Sequence, residues 1–182
     1  GGRETLTSSG SIPESAWVLS PGAFDAPRAP RQLAIGFENG VPVSLDGAAL
    51  DPVALIEAIE AAAGPYGIGR GIHLGDTIIG TKGRVAFEAP AAAVLIEAHR
   101  ELEKLVLSAR QQRVKDLVAA AYGDLVHEGQ NLDPACRDIE ALFASSQARV
   151  TGTVTVLLRQ GSAFVEGVES PHSLMKASRG VY

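Results

Sequence analysis

The sequence predicts an α+β fold: a mainly antiparallel sheet built from hairpins, with several packed helices, in a single domain. Three observations lead there. Apolar residues alternate with polar or small ones near both ends of the ordered region, on either side of short turn signals, as in hairpins. Between those ends, apolar residues recur at helical spacing behind capping and proline starts. The strands are joined locally rather than through crossovers, which favours antiparallel pairing.

Residues 1–30 are rich in Ser, Pro, Gly and Ala without a sustained period, and read as an extended arm with Trp17 and Val18 as anchor points. Such an arm is either a linker or a segment lying across a neighbour. Order begins at Arg31, where Leu33, Ile35 and Phe37 alternate, Asn39-Gly40 turns, and Val41, Val43 and Leu45 return. Asp51-Pro52 then caps a helix with a stripe of Leu55, Ile56 and Ile59, closed by Gly64-Pro65.

Leu95, Ala98, Leu102 and Leu105 repeat at helical spacing, and Ser108-x-x-Gln111 forms a capping box that starts a second helix. That helix carries a stripe including Val114, Leu117, Val118 and Val126 and ends at Gly129. Asp133-Pro134 opens a third helix, striped by Ile139, Leu142 and Phe143. Thr151, Thr153 and Thr155 then alternate with Gly152, Val154 and Val156, and Gln160-Gly161-Ser162 turns that strand back into 163–168.

The 182 residues are 46% hydrophobic and 20% charged, ordinary values for one globular domain with a real core. With 16 Lys and Arg against 21 Asp and Glu the net charge is −5, which argues against a dedicated nucleic-acid binder. No apolar run approaches the roughly 20 residues needed to span a bilayer, so no membrane partner is expected. The single cysteine, Cys136, forbids an internal disulfide and fits a reducing, cytoplasmic setting. The opening Gly1-Gly2-Arg3 lacks an initiator Met and reads as the start of a fragment or of a processed product.

Chemistry concentrates in residues 67–90, G-I-G-R-G-I-H-L-G-D-T-I-I-G-T-K-G-R-V-A-F-E-A-P. Six glycines in that span imply sharp turns or close approach of the backbone to something. His73, Asp76, Lys82, Arg84 and Glu88 share the segment. In a strand-turn-strand layout Lys82 and Arg84 face the same side, and the group either converges on an anionic or zwitterionic ligand or forms a surface charge ladder.

Other patterns exclude more than they suggest. Gly67-Ile68-Gly69-Arg70-Gly71 lacks the spacing and flanking elements of a phosphate loop. None of the four histidines stands at metal-ligand spacing and no second thiolate exists, so no metal is expected. His99, between Glu97 and Glu101, reads as a surface or interface residue, and Cys136 as a small buried side chain rather than a reactive thiol. No catalytic residue is assigned.

The 67–90 segment resembles the G-R…K-S-R-G-I-Y-E-x-P segment of argininosuccinate synthases. Neighbouring stretches agree collinearly: F-E-N-G-V-P-V at 37–43, A-H-R-E-L-E at 98–103, L-V-H-E-G at 125–129, S-Q-A-R-V-T-G-T-V at 146–154 and E-S-P-H-S-L at 169–174. Residues 1–6 resemble the family's crossing from its first domain into its second. The resemblance implies that residues 31–182 are the C-terminal catalytic and multimerisation domain of an ATP-dependent ligase. On the same resemblance that ligase joins citrulline and aspartate through a citrullyl-adenylate in arginine biosynthesis, as a homo-oligomer, a tetramer. ATP with Mg would be held by an N-terminal domain bearing an S-G-G-x-D-[ST] loop, which Ser9-Gly10-Ser11 does not match; this chain would bind no cofactor and be silent alone.

On that resemblance His73, Asp76, Lys82, Arg84, Phe87 and Glu88 line the amino-acid substrate side, with Lys82, Arg84, Glu88 and Pro90 matching the family pattern. Two positions depart from it. Gly75 stands where the family commonly has a citrulline-contacting Glu, and Phe87 where it has a Tyr. Losing a buried hydroxyl contact costs about 0.5–1.5 kcal/mol, which retunes binding rather than abolishing it. The departures resemble a divergent branch of the family. They also sustain a rival expectation, a non-catalytic oligomerisation or ligand-binding module that has kept the fold.

Overall fold

A computed structural model describes residues 7–77 and 79–175. The opening residues read as a domain crossing lie outside the described residues. Five strands form one antiparallel sheet in the order β3-β2-β1-β6-β7: β1 (Arg31–Glu38), β2 (Val41–Leu45), β3 (Ala48–Ala49), β6 (Gly152–Arg159) and β7 (Ser162–Glu169). A separate two-stranded sheet pairs β4 (Arg70–Asp76) with β5 (Lys82–Glu88). The helices are α1 (Pro52–Ala63), α2 (Pro90–Val106), α3 (Ala109–His127) and α4 (Pro134–Gln147). The fold is α+β, as the patterning predicts.

Alternation brings the two ends of the chain together. Leu33 pairs with Val156 and Ile35 with Val154, so the first and last hairpins share one buried side. Against it pack Leu55 and Ile59 of α1 and Val94, Ala98 and Leu102 of α2. Fully burying one such aliphatic side chain contributes about 1.5–3 kcal/mol.

The local signals fall where the sequence puts them. Asn39 (φ 50°) and Gly40 (φ 80°) take the left-handed conformations of a tight hairpin turn. Asp51 accepts from the N–H groups of Val53 and Ala54, each at 3.1 Å. Ser108 and Gln111 form the reciprocal capping box that separates α3 from α2. Cys136 is fully buried.

One expectation needs correction, and two others gain detail. Trp17 anchors the arm, but the Val18 side chain is 77% exposed and only its backbone N–H is engaged. The stripe of α3 meets no core: no α3 residue is buried, and Val114, Leu117 and Val126 are exposed. A helical period reports an apolar face without saying which molecule covers it. His99 is half-buried: its ring packs against Phe37 (centroids 5.8 Å apart) and its Nε2 lies 2.8 Å from Gln147 Oε1.

Candidate functional site

The β4–β5 register decides which polar residues of the 67–90 segment meet. Arg70 pairs with Glu88, Ile72 with Ala86, Leu74 with Arg84 and Asp76 with Lys82; between them Gly71 pairs with Phe87, His73 with Val85 and Gly75 with Gly83. Side chains alternate across a strand, and directly paired residues share a face. Arg70, Asp76, Lys82, Arg84 and Glu88 therefore stand on one face, and His73 and Phe87 on the other. The six residues named from sequence do not converge on one point.

The first face is taken by the arm. The Glu88 carboxylate accepts from the N–H groups of Val18 (2.5 Å) and Leu19 (2.9 Å) and from the Ser20 hydroxyl (2.5 Å). Arg70 donates to both carboxylate oxygens of Glu14, at 2.9 and 2.6 Å, and to the hydroxyl and carbonyl of Ser20. Its guanidinium lies 5.1 Å from the ring centroids of both Trp17 and Phe24. Farther along, Arg84 donates to the carbonyls of Thr7 and Gly10, each at 2.6 Å. Lys82 and Asp76 form an exposed ion pair at 2.6 Å, a geometry that contributes little to stability.

The glycines now have reasons. A Cβ at Gly67 would stand 2.6 Å from the Phe24 ring, and one at Gly64 2.5 Å from the Leu19 carbonyl oxygen, so both positions seat the arm. Gly69, at φ 81°, brings the root of the hairpin against the Ala89 backbone. On the uncovered face the Phe87 ring lies over Gly71 and the His73 ring over Gly75; a Cβ at Gly75 would meet His73 Nε2 at 2.3 Å. The close approach implied by glycine content is thus made by the chain's own arm and rings. The uncovered face carries one ionisable side chain, His73, beside exposed Val85 and Phe87.

Sequence reading passed over Arg70 as a working residue. Its signal lay in phase: a cation two-residue periodic with Asp76, facing an arm that holds the only Trp.

Burial pushes the Glu88 carboxyl up, but the hydrogen bonds from Ser20, Leu19 and Val18 outweigh it and leave the group below the usual carboxylate range. The Arg70 hydrogen bond holds Glu14 below that range too. Both values are depressed on folding, so their contribution is present above the ordinary carboxylate value of about 4.3 and fades as pH falls through the folded values. Acidification below about pH 4.3 is expected to loosen the arm. The fluorescence of Trp17, the sole tryptophan, should change there, and the change should vanish in Arg70→Ala.

Residues 7–182 match the family described as arginosuccinate synthase C-terminal domain. The chain belongs to that family. Argininosuccinate synthase of Methanothermobacter thermautotrophicus is 44% identical over 162 residues, covering 89% of this chain and 41% of that protein. Argininosuccinate synthase of Symbiobacterium thermophilum is 44% identical over 172 residues, covering 93% of this chain and 42% of that protein. That of Rippkaea orientalis is 39% identical over 170 residues. The chain spans about two fifths of the length of these argininosuccinate synthase relatives. No helix among the described residues is long and apolar enough to cross a membrane.

Proposed function

We propose that this chain is the part of an argininosuccinate-forming ligase that presents the citrulline side of the site and the contacts between subunits. The observation that carries this reading is the family match together with a hairpin whose one face is held by the arm and whose other face is open. On the open face His73 offers a hydrogen-bonding imidazole and Phe87 an apolar wall. Asp76 and Lys82, on the arm side near the hairpin's end, form an exposed ion pair with each other, and in this reading they exchange that pairing for the ammonium and carboxylate of an amino acid. Arg84 and Glu88 act through the arm and position the face rather than touching substrate.

In this reading the glycine-rich segment does not hold ATP or its magnesium ion. Among the described residues of the glycine-rich segment, Arg70 and Arg84 are committed to the arm. Gly67, Gly71 and Gly75 lie under aromatic or imidazole rings, which closes those three backbone positions to a phosphate. We assign ATP binding to the portion of such proteins that this chain does not span, with aspartate joining there. The setting we propose is cytoplasmic.

The uncovered stripe of α3, Val114, Leu117 and Val126, supports a homo-oligomer, a tetramer in this reading. Leu117→Lys is expected to shift the sedimentation coefficient toward the monomer. An unchanged oligomer would remove α3 from the interface.

Supplied with ATP, magnesium, citrulline and aspartate, these 182 residues alone should release no pyrophosphate. Citrulline-dependent release from them would overturn the division of labour proposed.

A further inference from the structure

We propose that residues 7–20 are a strap that holds the β4–β5 hairpin in place, with Arg70 as its positioning residue. Releasing the strap frees the hairpin while the five-stranded core stays folded.

The hairpin has little else to hold it. Among the described residues it joins no other strand, packs substantially against no other helix or strand, and supplies no side chain to the hydrophobic core. A two-stranded hairpin by itself is marginal in water. Its tertiary grip comes from one face, where Arg70, Arg84 and Glu88 hold Glu14, Ser20, the Val18 and Leu19 N–H groups and the carbonyls of Thr7 and Gly10.

The other end of the arm is fixed to the body. Ser20 and Ala23 are fully buried. Gln160, in the β6–β7 turn, donates to the carbonyls of Ala23 (2.9 Å) and Ala26 (2.8 Å), and the Tyr66 hydroxyl donates to the Ala29 carbonyl at 2.8 Å. A segment anchored at one end and gripping a hairpin with the other is a strap. Its grip is ionic and hydrogen-bonded, so it opens without exposing the apolar core.

Arg70 is the post of this arrangement. Its fork serves Glu14 and Ser20 at once, its plane lies by Trp17 and Phe24, and its side chain is only 12% exposed. Lysine keeps the charge but lacks the fork and the planar surface. The strap determines how the His73 and Phe87 face is presented. It is tested without any ligand, so its failure is separate from failure of the substrate reading.

Hydrogen exchange on the 182-residue chain decides. In Arg70→Ala the paired amides of β4 and β5 should exchange about tenfold faster or more, while those of β1 and β6 stay within about twofold of the parent. Trp17 emission should move to the red. Glu88→Gln keeps the side-chain shape and should give the same pattern at smaller amplitude, about threefold; it carries the test if Arg70→Ala does not fold. Unchanged hairpin protection overturns the proposal. So does acceleration of β1 and β6 in parallel with the hairpin, which would make Arg70 a general stabiliser.

Discussion

Glu103→Ala is expected to destabilise the domain by about 3–5 kcal/mol, because it breaks a mostly buried ion pair from one side. Glu103 on α2 is 5% exposed. Its carboxylate accepts from Lys115 of α3 at 2.8 Å and from Gln147, the last residue of α4, at 2.6 Å. Gln147 in turn bonds His99. This network ties the α3–α4 pair, which otherwise packs mainly on itself, to the rest of the fold. Urea unfolding should register the loss. In a Lys115→Met background the same substitution should cost less, because no uncompensated ammonium remains. Additivity of the two substitutions would contradict a coupled pair.

Gly69→Ala is the second large effect. Its left-handed backbone alone costs about 1–3 kcal/mol for a residue with a Cβ. That Cβ would also stand 2.5 Å from the Ala89 carbonyl carbon and oxygen and 2.6 Å from the Pro90 nitrogen, which are backbone atoms that cannot yield. Gly80, at φ 79°, has the same conformation in open space. Gly80→Ala should therefore cost only the conformational part, and the difference between the two melting temperatures measures the overlap. Equal losses would mean that the hairpin root relaxes freely.

Much of the fold was legible because its signals are local. Asn39-Gly40, Asp51-Pro52, Ser108-x-x-Gln111 and Gln160-Gly161-Ser162 each act within a few residues, and each turn or cap forms as read. The site was less legible. Alternation correctly put Lys82 and Arg84 on one side, but nothing local says that Glu88 spends its oxygens on Val18, Leu19 and Ser20, nearly seventy positions away. Strand alternation within the hairpin also separated His73 from Asp76, and Phe87 from Lys82, Arg84 and Glu88. The stripe of α3 was read correctly as apolar, yet it is only partly covered: Val118 and Leu125 are half-buried while Val114, Leu117 and Val126 stay exposed.

Citrulline titrated into the chain, followed by NMR of assigned side chains, tests the two-faced hairpin most directly. The His73 ring, the Phe87 ring and the Val85 methyls should shift progressively at millimolar ligand, an affinity of about −4 kcal/mol for half a pocket. The Arg70 and Arg84 Nε–H signals and the Trp17 indole should stay in place. Shifts confined to the arm-side groups, or none at saturating citrulline, would contradict substrate recognition on the open face; the second result would favour a module that kept the fold without the pocket.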